Sequence, residues 1–198
     1  MVAKARAKGT VEDPILEVGT RAEWEKWLER NHAKSPGVWL RLAKKGATKP
    51  SVTYAEALES ALCYGWIDAQ KRSESDTTWL QRFMPRRPRS IWSKINREKA
   101  LALISSGRMK PPGLAEVERA KADGRWDAAY DSPSSATVPD DFQKALNRSA
   151  RAKKFFKTLN AANRYAILWR IQTARKAETR SARIQSMIEM LEKGETFH

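Results

Sequence analysis

The chain has 198 residues, 41% of them hydrophobic, with eight tryptophans and a net charge of +15. That length and aromatic content support a folded protein with a buried core and exclude a disordered chain. The charge favours anionic partners, and no apolar run approaches the roughly 20 residues that span a bilayer.

One cysteine, Cys63, excludes an intrachain disulfide, and the basic start MVAKARAKGTVEDP is followed by no apolar stretch of signal-peptide type. The expectation is a soluble, cytoplasmic protein. Residues 1–13 hold three Lys/Arg against two Asp/Glu, residues 14–131 hold 22 against 15, and residues 140–198 hold 13 against 6. The C-terminal third is therefore about twice as basic per residue as the body.

In chain order, residues 1–13 read as a flexible basic tail and Pro14–Val18 as a short extended piece. Thr20 and Glu23 have capping-box spacing. The helix they open carries Trp24, Trp27 and Leu28 at i, i+3 and i+4 and ends near Asn31, before Pro36-Gly37. Val38, Leu40 and Leu42 alternate with Trp39 and Arg41, as a half-buried strand requires. Thr53 and Glu56 repeat the capping box, and Gly65 can close the second helix. Trp66–Arg72 and Thr78–Met84 then read as an antiparallel hairpin around Ser73-Glu74-Ser75-Asp76, stopped by Pro85 and Pro88. Ser90 or Ser93 caps the next helix, which ends at Gly107, and Pro111-Pro112-Gly113 starts another.

Residues 132–139, rich in Ser and Pro, read as a linker. Beyond it every signal is helical: Ile184, Met187, Ile188 and Leu191 share one face, and Tyr165, Leu168, Trp169 and Gln172 share another. The expected fold is α+β, a small antiparallel sheet packed with helices plus a helical C-terminal subdomain. The segments are a tail at 1–13, a body at 14–131, a linker at 132–139 and the basic helical part at 140–198.

The histidines are His32 and His198, and there is no paired-Cys zinc spacing, no HExxH and no Gly-rich phosphate loop. No cofactor or metal is expected. Cys63 reads as a buried, inert thiol.

The run RFMPRRPRSIWS, Arg82–Ser93, is different. It places Arg82, Arg86, Arg87 and Arg89 around two prolines and ends on Trp92. Prolines restrict the backbone, guanidinium groups take anions through paired donors, and an indole packs under an arginine or a ligand ring. Just upstream, CYGWIDAQKR holds Trp66 and Asp68. A strand carboxylate is costly unless paired, so Asp68 is expected to meet one of those four arginines. The candidate ligand-binding set is Trp66, Asp68, Arg82, Arg86, Arg87, Arg89 and Trp92. The competing reading is that these arginines only stitch elements together through acids such as Glu56, Glu59 and Glu98. In the C-terminal part, Lys144, Arg148 and Arg151 fall at i, i+4 and i+7, a basic face that could lie along phosphates.

The motifs TRAEWEKWLERNHA (Thr20–Ala33), ALCYGWIDAQ (Ala61–Gln70), QRFMPRRPRSIWSKIN (Gln81–Asn96), GRMKPPGLAEVERAKADGRWDAAY (Gly107–Tyr130), PDDFQKALN and ETRSARI resemble the YdeI/OmpD-associated family, also called bacteriocin-protection proteins. The resemblance runs from about Ile15 to Leu191 and departs at Met84, where the family often has Thr. It implies a role in resistance to antimicrobial peptides and association with an outer-membrane porin. It supplies no catalytic residue. The resulting expectation is a non-enzymatic binding protein that recognises an anionic small molecule or an acidic protein surface through its Arg/Trp surface. The alternatives are a nucleic-acid-binding protein using the C-terminal basic helices, and an enzyme acting on an anionic small molecule with Asp68 and the arginines at its site.

Overall fold

The structure, a computed structural model, describes residues 13–198. The expected tail lies outside the described residues except for Asp13, which is held by Arg82. The chain divides into two compact units. One comprises the described residues up to Ser90 with Lys99–Ala122, and the other Ile91–Glu98 with Asp123–His198.

The first unit is a sheet with helices. Its strands are β1 (Ile15–Glu17), β2 (Val38–Ala43), β3 (Trp66–Ser73) and β4 (Thr78–Pro85), and its helices include α1 (Arg21–Asn31) and α2 (Tyr54–Cys63). The strand order is β1-β2-β4-β3. β2–β4 and β4–β3 are antiparallel as expected. β1, read from sequence only as an extended piece, joins parallel to β2, so the four strands among the described residues form a mixed sheet. Both capping boxes form, Thr20 with Glu23 and Thr53 with Glu56.

The alternation in β2 dictates the packing. Val38, Leu40 and Leu42 share a face with Phe83 of β4, and all four are buried together with Trp24 and Leu28 of α1 and Ala57, Leu58 and Leu62 of α2. Two indoles of this core find a carbonyl. Trp24 Nε1 donates to Ala57 O at 3.0 Å and Trp66 Nε1 to His32 O at 3.1 Å. Burial of these large rings therefore leaves no stranded donor. Cys63 is buried, and that burial pushes its thiol up to about 11, as an inert residue requires.

Two later helices follow, α3 (Lys94–Ser105) and α4 (Pro111–Ala122), and the division between the units falls inside α3. Ser93, rather than Ser90, caps α3: its Oγ accepts from Asn96 N at 3.2 Å. α4 starts against the end of α2, where a Cβ on Gly113 would stand 2.4 Å from Cys63 O. Gly65, at φ +73, ends α2 beside Pro112, and only glycine adopts that backbone at low cost.

In the second unit four helices, α5 (Asp140–Arg148), α6 (Ala150–Thr158), α7 (Ala161–Gln172) and α8 (Ala177–Lys193), surround a core of Phe142, Leu146, Phe156, Ile167, Leu168, Ile171, Met187, Ile188 and Leu191. The expected inner face of α8 is confirmed, with Ile184 at its edge. Of the set expected to share a face of α7, only Leu168 enters the core. Its buried side is Asn163, Ala166, Ile167, Leu168 and Ile171, whereas Tyr165, Trp169 and Gln172 turn to the segment around Tyr130 and Asp131. Their polar ends explain this: the Tyr165 hydroxyl and the Gln172 amide reach Asp131 instead of entering the apolar core. Within residues 132–139 a serine turn forms, Ser132 being buried and hydrogen-bonded to Ser134 and Ser135.

Candidate functional site

The residues singled out in the sequence do not assemble into one surface. Trp66 and Trp92 are 1% and 2% exposed, so neither indole is offered to a ligand. Trp66 belongs to the first unit and meets Trp27 edge-on at 5.7 Å; Trp92 belongs to the second and meets Trp126 at 5.0 Å. Arg82 lies on β4 and is bound to Asp13 at 2.6 Å, with Gln70 Oε1 at 3.3 Å. Arg86 is 5% exposed, and its backbone N–H donates to Gly65 O. Arg87 and Arg89 are exposed.

The expected pairing of Asp68 with an arginine is corrected. Asp68 sits opposite Phe83, and among the described residues it forms no salt bridge; its Oδ2 accepts from the Tyr54 hydroxyl at 2.9 Å. The reason is the strand register. Asp68 shares the face of Phe83, whereas Arg82 is on the opposite face with Trp39, and Arg86 lies beyond the strand's end. The neutral hydroxyl is a sufficient partner at a half-buried position.

Tyr54 leads to the opposite end of the same hairpin. Its ring packs against Trp79 at 6.0 Å and 45°. Burial, and then the negative charge of Asp68, push the Tyr54 phenol above its ordinary value, so it remains a neutral donor. Trp79 forms a wall of a recess of about 340 Å³ lined by Lys44, Lys71, Arg72 and Ser73. The ladder builds it: Ser73 of β3 pairs with Trp79 of β4, which pairs with Leu42 of β2, so Lys44 follows directly along β2. Lys71 Nζ stands 6.0 Å from the Trp79 ring centroid, within cation–π reach. Arg72 lays its guanidinium 4.5 Å above Trp39. Lys44 Nζ donates to Ser75 O at 2.6 Å.

What distinguishes this recess is charge balance. Among the described residues, Lys44 and Lys71 form no salt bridge. A recess of about 110 Å³ near Glu17 and Arg41 also carries cations, but Arg41 is tied to Glu17 and Glu74, and Lys49 to Glu17. The Glu74 contact raises the Arg41 guanidinium further above its ordinary value, and Lys49 holds Glu17 below its own. A third recess, of about 220 Å³ in the second unit, holds Arg125 and Arg175; Arg125 is paired with Asp123 at 2.7 Å and Arg175 donates to the Asp123 carbonyl. At the hairpin recess neither lysine carries such a pairing among the described residues.

Sequence reasoning passed over Lys44, Lys71 and Trp79. The signal was present in the period of two: counted back from the turn, Lys71 and Ser73 fall on one face of β3, and Trp79 is the partner of Ser73 across it. The basic helical set also changes. Lys144 and Arg148 lie on α5, but Arg151 lies on α6, because Ser149 ends the first helix in an extended conformation and caps the second. The three are exposed but do not share one continuous helix. No group of acids, histidines and cysteines suited to a metal occurs among the described residues. No helix among them is long and apolar enough to cross a membrane.

Residues 135–194 match the family described as "Bacteriocin-protection, YdeI or OmpD-Associated", and residues 16–116 match a domain of unknown function, DUF8412. The chain belongs to the DUF8412 family, whose model covers just over half of it, and its C-terminal helices carry a YdeI/OmpD-associated domain. No curated protein and no solved structure matches the chain. The YdeI/OmpD-associated match lies wholly in the second unit. The motifs Thr20–Ala33, Ala61–Gln70 and Gln81–Asn96, which carried much of the resemblance, fall in the DUF8412 part, as does the hairpin recess.

Proposed function

We propose that this YdeI/OmpD-associated chain is a binding protein, linked to antimicrobial or stress resistance, that recognises a small anionic ligand at the turn end of the β3–β4 hairpin. The observation that carries this is the recess of Lys44, Lys71, Arg72, Ser73 and Trp79, where two lysines stand without an ion-pair partner among the described residues. An entering anion there does not displace an internal carboxylate from either lysine, whereas at Arg41 or Arg125 it would compete with one. The overall charge of +15 adds a long-range attraction for anions. The link to resistance rests on the description of the matched family alone.

This reading moves the ligand surface away from the Arg82–Trp92 run, whose Trp92 is core and whose Arg82 is neutralised. Calorimetric titration of the full chain with small organic carboxylates and sulfonates, beside their neutral amides, tests it. The anions should bind and the amides should not. The double reversal Lys44→Glu with Lys71→Glu should abolish binding while leaving the melting temperature close to wild type. Equal binding of anion and amide, or retention of binding in the double reversal, would sink the proposal.

A further inference from the structure

Resting on that reading, we infer that the ligand is an anionic aromatic compound of one or two rings: its ring lies on Trp79 and its charged group reaches Lys44 and Lys71 at the rim.

Three observations lead there. The first is volume. Ligand pockets generally run from about 300 to 1,000 Å³, and at about 340 Å³ this recess falls at the small end. It suits a single or fused ring with one charged substituent and is too small for a folded peptide or a nucleic-acid duplex.

The second is the wall. The recess is bordered mainly by apolar surface even though three of its five residues are cationic. A bare inorganic anion would use the cations and leave that surface wet. A ring with a charged substituent satisfies both, through the hydrophobic gain of covering the indole and the charge at the rim.

The third is orientation. The Trp79 face carries the negative side of the ring quadrupole, which attracts Lys71 Nζ and repels an anion placed directly above it. The charged group must therefore be met by the ammonium groups and not by the bare indole face: by Lys71 Nζ, 6.0 Å over the ring centroid, and by Lys44 in the recess lining. Tyr54 supports that wall: its ring packs on Trp79 and its hydroxyl is anchored to Asp68. Asp68 and Tyr54 are thus positioning residues for the wall, and the indole is held before any ligand arrives, which reduces the ordering cost of binding.

The test uses the full chain and three sulfonates of equal charge: naphthalene-2-sulfonate, cyclohexanesulfonate and methanesulfonate. Naphthalene-2-sulfonate should bind at least about 10-fold more tightly than either aliphatic anion, in line with the contribution of a ring stacked on an aromatic side chain. Trp79→Leu should remove that preference, and Trp79→Phe, which keeps a ring, should retain most of it; circular dichroism checks that both variants fold. Lys71→Glu should weaken all three sulfonates together. If the aryl and alkyl sulfonates bind equally and Trp79→Leu changes neither, the aromatic inference is overturned and anion recognition at the recess stands. If no sulfonate binds, or Lys71→Glu leaves every affinity unchanged, the underlying anion reading fails as well.

Discussion

Replacing Gly113 by Ala sets two known effects against each other. Alanine is the better helix former by about 1 kcal/mol in a helix interior, so propensity alone predicts a gain. Packing predicts the reverse. A Cβ at Gly113 would lie 2.4 Å from Cys63 O and 2.6 Å from Leu62 O, both backbone atoms at the end of α2, and 2.5 Å from Met109 Sδ. The sulfur can rotate aside, but the carbonyls cannot. α4 would have to retreat by roughly 1 Å to restore ordinary contact, straining the Lys110 N–H bond to Cys63 O, now 3.2 Å. Overpacking costs typically about 1–3 kcal/mol, and rigid neighbours place this case at the upper end. The net expectation is a loss of about 2 kcal/mol, or roughly 4–8 °C in Tm for a chain of this size. Thermal melting followed by circular dichroism reads it, with Leu114→Ala as the control, since Leu114 is 44% exposed on the same helix. An unchanged or higher Tm for Gly113→Ala would mean that α4 is not seated on the end of α2.

Other consequences follow from the packing. Trp92→Ala should destabilise by about 3–5 kcal/mol, because a 2% exposed indole leaves a cavity against Trp126; an unchanged Tm would contradict its placement. Arg180 holds the Asp141 carboxyl below its ordinary value of 3.8 through bonds of 2.6 and 2.9 Å, so this pair stabilises the fold above that pH and is lost as pH falls through the lower, folded value. Asp141→Asn should therefore flatten the acid limb of a Tm-against-pH curve, and an identical limb would exclude the contribution. Tyr54→Phe removes one hydrogen bond but keeps the ring on Trp79, so it should cost only about 0.5–1.5 kcal/mol, read by thermal melting. An unchanged melting temperature would refute the Tyr54–Asp68 bond.

Much of the fold was legible because its signals are local. The Thr20 and Thr53 capping boxes, the alternation of Val38, Leu40 and Leu42, and the hairpin around Glu74-Ser75-Asp76 each depend on residues close in sequence. The parallel joining of β1 to β2 was not legible, since nothing within Ile15–Glu17 specifies which strand it meets. The candidate site was only partly legible for a related reason. The Arg82–Trp92 run looks like a surface when charges and rings are counted, but burial decides which of them face out, and Trp66, Arg86 and Trp92 are all at most 5% exposed. Asp68 was expected beside the arginines because they are near in sequence. The pleat sends Arg82 to the other face, and helix α2 brings Tyr54 instead.

The central claim is that the turn end of the hairpin, and not the arginine run or the basic helices, receives the anion. An amide chemical-shift map of the isotopically labelled full chain titrated with naphthalene-2-sulfonate tests this most directly. The account predicts saturable shifts concentrated at Lys44, Lys71, Ser73 and the Trp79 indole N–H. Shifts centred on Arg87–Arg89, or along α5 and α6 at Lys144, Arg148 and Arg151, with the hairpin turn unmoved, would contradict it.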